Sequence, residues 1–111
     1  MEIYRQGDVL LIPVNAVPDG VKKVRRTKRG LVLAEGEATG HAHAILDRGA
    51  SLYELVSSSD VEEMRRRFLH VECEGIALVH DEHATIHVPS RVYEVLQQVE
   101  YEPRALRTVA D

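Results

Sequence analysis

The chain has 111 residues, 44% of them hydrophobic, and a formal net charge of −4. That length suits one hydrophobic core, and this apolar content excludes a chain that stays unfolded, so a single domain over residues 1–111 is expected. The acidic balance gives no general reason to expect nucleic acid or an anionic membrane as partner, and no apolar run nears the ~20 residues that span a bilayer. Cys73 has no second cysteine to pair with, which fits a reducing cytoplasm. The opening residues, Met1 to Gln6, are too polar for a signal peptide.

Residues 7–14 (GDVLLIPV) form a short apolar run bounded by Gly-Asp and Pro13, the pattern of a strand covered on both faces. Pro18-Asp19-Gly20 has turn chemistry. Residues 22–29 (KKVRRTKR) lead through Gly30 into Leu31–Ala34, so Gly30 is read as a hairpin turn and the basic run as a strand or its exposed tip. Residues 41–46 (HAHAIL), as a strand, put His41, His43 and Ile45 on one face and Ala42, Ala44 and Leu46 on the other. Residues 51–56 read as another strand. A short helix is predicted near residues 59–67, where Ser59 with Glu62, or Asp60 with Glu63, supplies a capping-box start and Arg65 to Arg67 suit the far end.

Residues 68–73 and 76–80 flank Glu74-Gly75 and predict a hairpin. Residues 84–88 form a further strand, Pro89-Ser90 a break, and residues 91–101 the longest strand candidate, with Tyr93, Val95, Val99 and Tyr101 on one face. Many short strands with one helix predict a mainly β fold, a small barrel or sandwich.

The histidines stand at positions 41, 43, 70, 80, 83 and 87. Residues two apart on a strand share a face about 6.5 Å apart, so the imidazoles of His41 and His43 can converge on one ion at ~2.0–2.1 Å. A metal usually takes three or four protein ligands, and HDEHATIH offers the second arm through a turn at Asp81-Glu82. His83 is chosen ahead of His80. His87, four residues on and roughly 13 Å away along a strand, is excluded from sharing that ion. The predicted ligands are therefore His41, His43 and His83, with Glu35, Glu37, Asp47 and His80 as candidate fourth partners. Imidazoles with carboxylates suit zinc, iron, nickel, copper or manganese, and residue type does not choose among them.

With Gly36, His41, His43 and Asp47 in this order, the chain resembles the cupin superfamily, small β-barrels that hold a metal on an HxH arm, a following carboxylate and a later histidine. The resemblance, over about residues 30–101, implies a cupin-like barrel. The departures are a Gly-to-His spacing one residue short, Asp where Glu is usual, and Pro89-Ser90-Arg91 without the glycine of the family's turn or the histidine after it. The chain also resembles small uncharacterised bacterial or phage proteins with GHxH and HEEH-like segments. HATI at residues 83–86 resembles half of a two-histidine phosphoesterase motif, and HAHAIL two-thirds of a histidine-triad motif.

Two functional classes stay open. In the first, the centre takes a small-molecule ligand as an enzyme would. In the second, the chain is a binding or regulatory module in which Lys22, Lys23, Arg25, Arg26, Lys28 and Arg29 contact nucleic acid or a protein partner. Six basic residues in eight suit phosphate contacts, but no aromatic interleaves to stack bases, so nucleic acid is not favoured. A two-fold homodimer is expected, covering an edge strand at residues 91–101.

Overall fold

The computed structural model describes residues 2–35, 40–56 and 65–98. Among these residues eight strands form one antiparallel sheet curled into a half-barrel: β1 (Tyr4–Gln6), β2 (Val9–Val14), β3 (Lys22–Lys23), β4 (Leu31–Glu35), β5 (Ala42–Ile45), β6 (Ala50–Val56), β7 (Arg65–Val79) and β8 (Ile86–Gln97). The main path runs β1-β2-β8-β7-β5-β4, with β6 on β7 and β3 on β6. No helix among the described residues is long and apolar enough to cross a membrane.

β7 is the spine. Its first half pairs with β6 and its last residues with β5, while β8 runs along its other side. The exchange of partners falls opposite a register shift between Val71 and Gly75. There the Gly49 carbonyl accepts the amides of Glu72 and Cys73, and a Cβ on Gly49 would collide with the Cys73 side chain. A bulge of this kind bends a strand and lets one ladder serve two neighbours.

The concave side of the sheet buries Val9, Leu11, Leu31, Leu33, Ile45, Leu52, Leu69, Val71, Leu78, Val88, Tyr93 and Val95. Alternation explains most of this. In β2, Val9 and Leu11 point in while Leu10 and Ile12 are only half-buried, and in β8 Tyr93 and Val95 do the same. β4 departs from it: the register slips between Val32 and Ala34, which turns both Leu33 and Ala34 inward beside β5.

Several expectations need correction. Residues 7–14 are not one strand, because Gly7-Asp8 is a two-residue hairpin turn between Gln6 and Val9, with Gly7 at φ 60°. The basic run is a strand only at Lys22–Lys23, and Gly30 closes a tight turn with Thr27. No helix occupies the described part of 59–67: Arg65 to Arg67 open β7 against Val56 to Glu54, and residues 59–64 lie outside the described residues. Capping residues gave a local helix signal, and the strand ladder with β6 overrides it at Arg65–Arg67.

Glu74-Gly75 is the bulge of one continuous strand, not a hairpin turn. Pro89-Ser90 does not break the chain either, since β8 runs through it. β2 pairs with β8 only from Val92 onward, so β8 has a free side at Pro89, where a residue without an N–H is tolerated. The segment expected to be an edge, residues 91–101, is interior over Val92–Val95, held between β2 and β7, and stays paired with β2 as far as Gln97; residues 99–101 lie outside the described residues. The main path ends instead in β1 and β4, so edge pairing there with a second copy would use one of those.

Candidate functional site

β5 begins two residues after the positive-φ Gly40 and carries His43 into the interior, 1% exposed, with Ile45 beyond it in the core. Ala42, Ala44 and Leu46 line a shared hollow on the other face, so the strand alternates as its sequence implies. The β4 bulge lies directly alongside, with Ala34 opposite His43.

A buried imidazole needs partners, and His43 has them from outside its own hairpin. The Gln6 amide nitrogen donates to the carbonyls of Leu78 at 2.8 Å and Ala84 at 2.9 Å. That leaves Gln6 Oε1 as an acceptor, 2.8 Å from His43 Nδ1. The amide is thereby fixed in orientation, and His43 carries its neutral-state proton on Nδ1. Its Nε2 lone pair faces Asp8 Oδ1 at 3.3 Å.

Asp8 sits in the β1–β2 turn and accepts a hydrogen bond from the Gln97 side chain at 3.0 Å. That bond, helped by His43, holds its carboxyl below the ordinary aspartate value. Burial pushes His43 below the ordinary histidine value; the charge of His80 and, more weakly, His83 adds to this, while Asp8 opposes it. A neutral imidazole thus presents its lone pair to an ionised carboxylate. Two acceptors facing each other repel unless a cation stands between them.

Loop 80–85, between β7 and β8, brings the other imidazoles. The ring of His80 lies 4.3 Å from that of His43, His83 lies 5.8 Å from His43, and His80 is 4.6 Å from His83. His41 meets the same group through His80, at 5.9 Å. Its Nδ1 is buried without a hydrogen-bond partner, and the nearest carboxylate oxygen, on Glu82, is 3.6 Å away. His80 Nδ1 accepts the Glu82 backbone N–H at 2.9 Å, which leaves Nε2–H as the ring's donor. Gly7 forms the floor beneath: a Cβ there would lie 2.6 Å from His83 Nε2 and 3.2 Å from His43 Cε1.

The structure brings His41, His43, His80 and His83 together and separates the other candidates. Glu35 is exposed and pairs with Arg29 at 3.4 Å. Glu37 lies outside the described residues. Asp47 accepts the Ala77 N–H at 2.9 Å and lines a different hollow, which His87 shares. Among the described residues no group of three or more His, Cys, Asp or Glu side chains is arranged so that it could hold a metal ion without side-chain movement.

Sequence reasoning missed Gln6, Gly7, Asp8 and Glu82. Gln6-Gly7-Asp8 carried a turn signal in its Gly-Asp pair, and nothing in the chain order ties that turn to residues 41–43. A family model described as a domain of unknown function (DUF8820) matches residues 5–98, so the chain belongs to that family, and the matched span contains every residue of the site. No curated protein and no solved structure matches the chain.

Proposed function

We propose that this protein binds a divalent metal ion between His43 Nε2 and the Asp8 carboxylate, with His83 and His41 as the further ligands. The observation that carries the reading is the facing pair of acceptors. Gln6 spends the Nδ1 proton of His43, burial disfavours a second proton, and Asp8 remains ionised, so a cation other than H⁺ fits the gap. Two ligands at ~2.0–2.1 Å from a tetrahedral ion lie roughly 3.3 Å apart. The observed separation of 3.3 Å has that value and is long for a charge-assisted hydrogen bond, ordinarily about 2.7–2.9 Å.

The rest of the shell would be completed by side-chain rotation of His83 and His41. His83 packs over Gly7 with its ring 5.8 Å from that of His43, and the unpartnered His41 nitrogen lacks only an acceptor or an ion. The Gln6 contact is the kind of outer hydrogen bond that orients a ligating histidine and raises its basicity. Neutral imidazoles and one carboxylate suit zinc, iron, nickel or manganese. An ion held with a position open would polarise a bound substrate or activate water, and His80 Nε2–H supplies a donor beside it.

Metal analysis of protein purified without a histidine tag, followed by zinc, nickel and manganese titrations, tests this. One equivalent of metal per chain is expected, falling sharply in His43→Ala, Asp8→Asn and His83→Ala and unchanged in His87→Ala. A chain that holds none of these ions, and whose His43 titrates as a protonated partner of Asp8 near pH 7 by NMR, overturns the proposal.

A further inference from the structure

On another part of the sheet, the chain leaving β3 crosses beside β6, where the Val24 N–H donates to the Leu52 carbonyl at 2.8 Å. Between this segment, the start of β4 and the β5–β6 turn lies a hollow of about 430 Å³. Lys23, Arg25, Arg26 and Arg48 line it, over a floor that includes Leu31 and the buried Ser51. Among the described residues no carboxylate lines it.

Asp47 is the acid nearest Arg48 in the chain, and it does not neutralise this cluster. Its carboxylate accepts the Ala77 N–H and Asp47 lines a different hollow, beside the β7 bulge and the start of β8, while its main-chain carbonyl accepts a hydrogen bond from the Arg26 guanidinium. Arg26 is thereby anchored at the wall. Arg29, by contrast, lies outside the hollow and pairs with Glu35. Four like charges gathered around one concavity repel, and in a chain of net charge −4 their segregation there is not a consequence of composition.

We infer that this hollow is a binding site for a small phosphorylated ligand, distinct from the histidine centre. Guanidinium groups match phosphate oxygens with paired N–H donors, lysine adds a mobile point charge, and the apolar floor gives a short carbon skeleton something to rest on. The volume is that of a small-molecule site, and among the described residues no Phe, Tyr or Trp lines it to stack nucleobases, which favours a small phosphorylated compound over a nucleic-acid strand.

Calorimetric titration of the full chain with inorganic pyrophosphate at low salt tests the site. Saturable binding at one equivalent is expected, weakened by roughly tenfold or more in Arg25→Ser/Arg48→Ser. The charge-matched control Lys22→Ser/Lys28→Ser, whose side chains do not line the hollow, should retain affinity within about twofold. Should the double arginine variant fold poorly, Arg48→Ser alone is to show the same direction of loss. Absence of saturable binding, or equal weakening in both double variants, overturns the inference. So does a single-stranded RNA of about 12 nucleotides that binds the same face and is not displaced by pyrophosphate.

Discussion

Replacing Gln6 with Met removes the contact on which the histidine centre depends while nearly preserving side-chain volume. Gln6 is 3% exposed and makes three hydrogen bonds, to the carbonyls of Leu78 and Ala84 and from His43 Nδ1. A net contribution of roughly 1 kcal/mol for each predicts a loss of about 3 kcal/mol, more where the stranded carbonyls find no water. Against a total stability on the order of 5–15 kcal/mol this is a large fraction, and in a domain of this size it lowers Tm by roughly 12–24 °C. The same change frees the His43 ring to flip and to move its proton, so, on the proposed metal reading, zinc affinity should fall by about 10–100-fold, the usual effect of removing a ligand's outer hydrogen bond. Urea denaturation of the metal-free chain gives the first quantity and a chelator-competition titration the second. Reduced stability with unchanged zinc affinity refutes the claim that Gln6 prepares His43 Nε2 for an ion. Unchanged stability refutes the three-bond contact itself.

Gly7→Ala places a Cβ 2.6 Å from His83 Nε2 at a backbone φ of 60°, so it should cost about 1–2 kcal/mol by thermal melting and weaken metal binding as well; a wild-type Tm removes the close packing of the turn under His83. For the metal-free chain, His43 has a folded pKa below the ordinary 6.5, so the unfolded chain binds more protons in that interval: stability is full above about pH 6.5 and declines as pH falls toward the folded value. In His43→Gln that part of the slope should vanish in urea midpoints measured across this range, and its persistence assigns the slope elsewhere. Changing Lys23, Arg25 and Arg29 to Ser together should shift stability by no more than about 1 kcal/mol, because all three are exposed and Arg29 loses only its exposed contacts with Glu35 and the Gly40 carbonyl; a collapse in urea midpoint would show these charges paired within the fold.

The parts of this molecule visible in its sequence are those that period and spacing encode. Strand alternation placed His43 and Ile45 on one face of β5 and put Tyr93 with Val95 inward on β8, because a half-buried strand repeats every two residues wherever it lies in a sheet. The turn at Asp81-Glu82 was legible from composition, and it delivers His80 and His83 to His43. What period cannot encode is curvature. Two local break signals, Glu74-Gly75 and Pro89-Ser90, lie opposite each other in the β7–β8 ladder, where one strand bulges and the other keeps a free side, so both strands continue through them. The same curl makes Asp8 a neighbour of Gln97, the last residue of β8, and of His43 in β5. Gln6 and Asp8 are therefore joined to His43 by the closure of the whole sheet, across 37 residues between Gln6 and His43 and 72 between Gln6 and Leu78. It follows that the centre cannot form in a fragment lacking β1, β5, β7 or β8: the gap between His43 and Asp8 exists only once all four have taken their places, so the proposed ion affinity and global folding should be lost together as denaturant is raised.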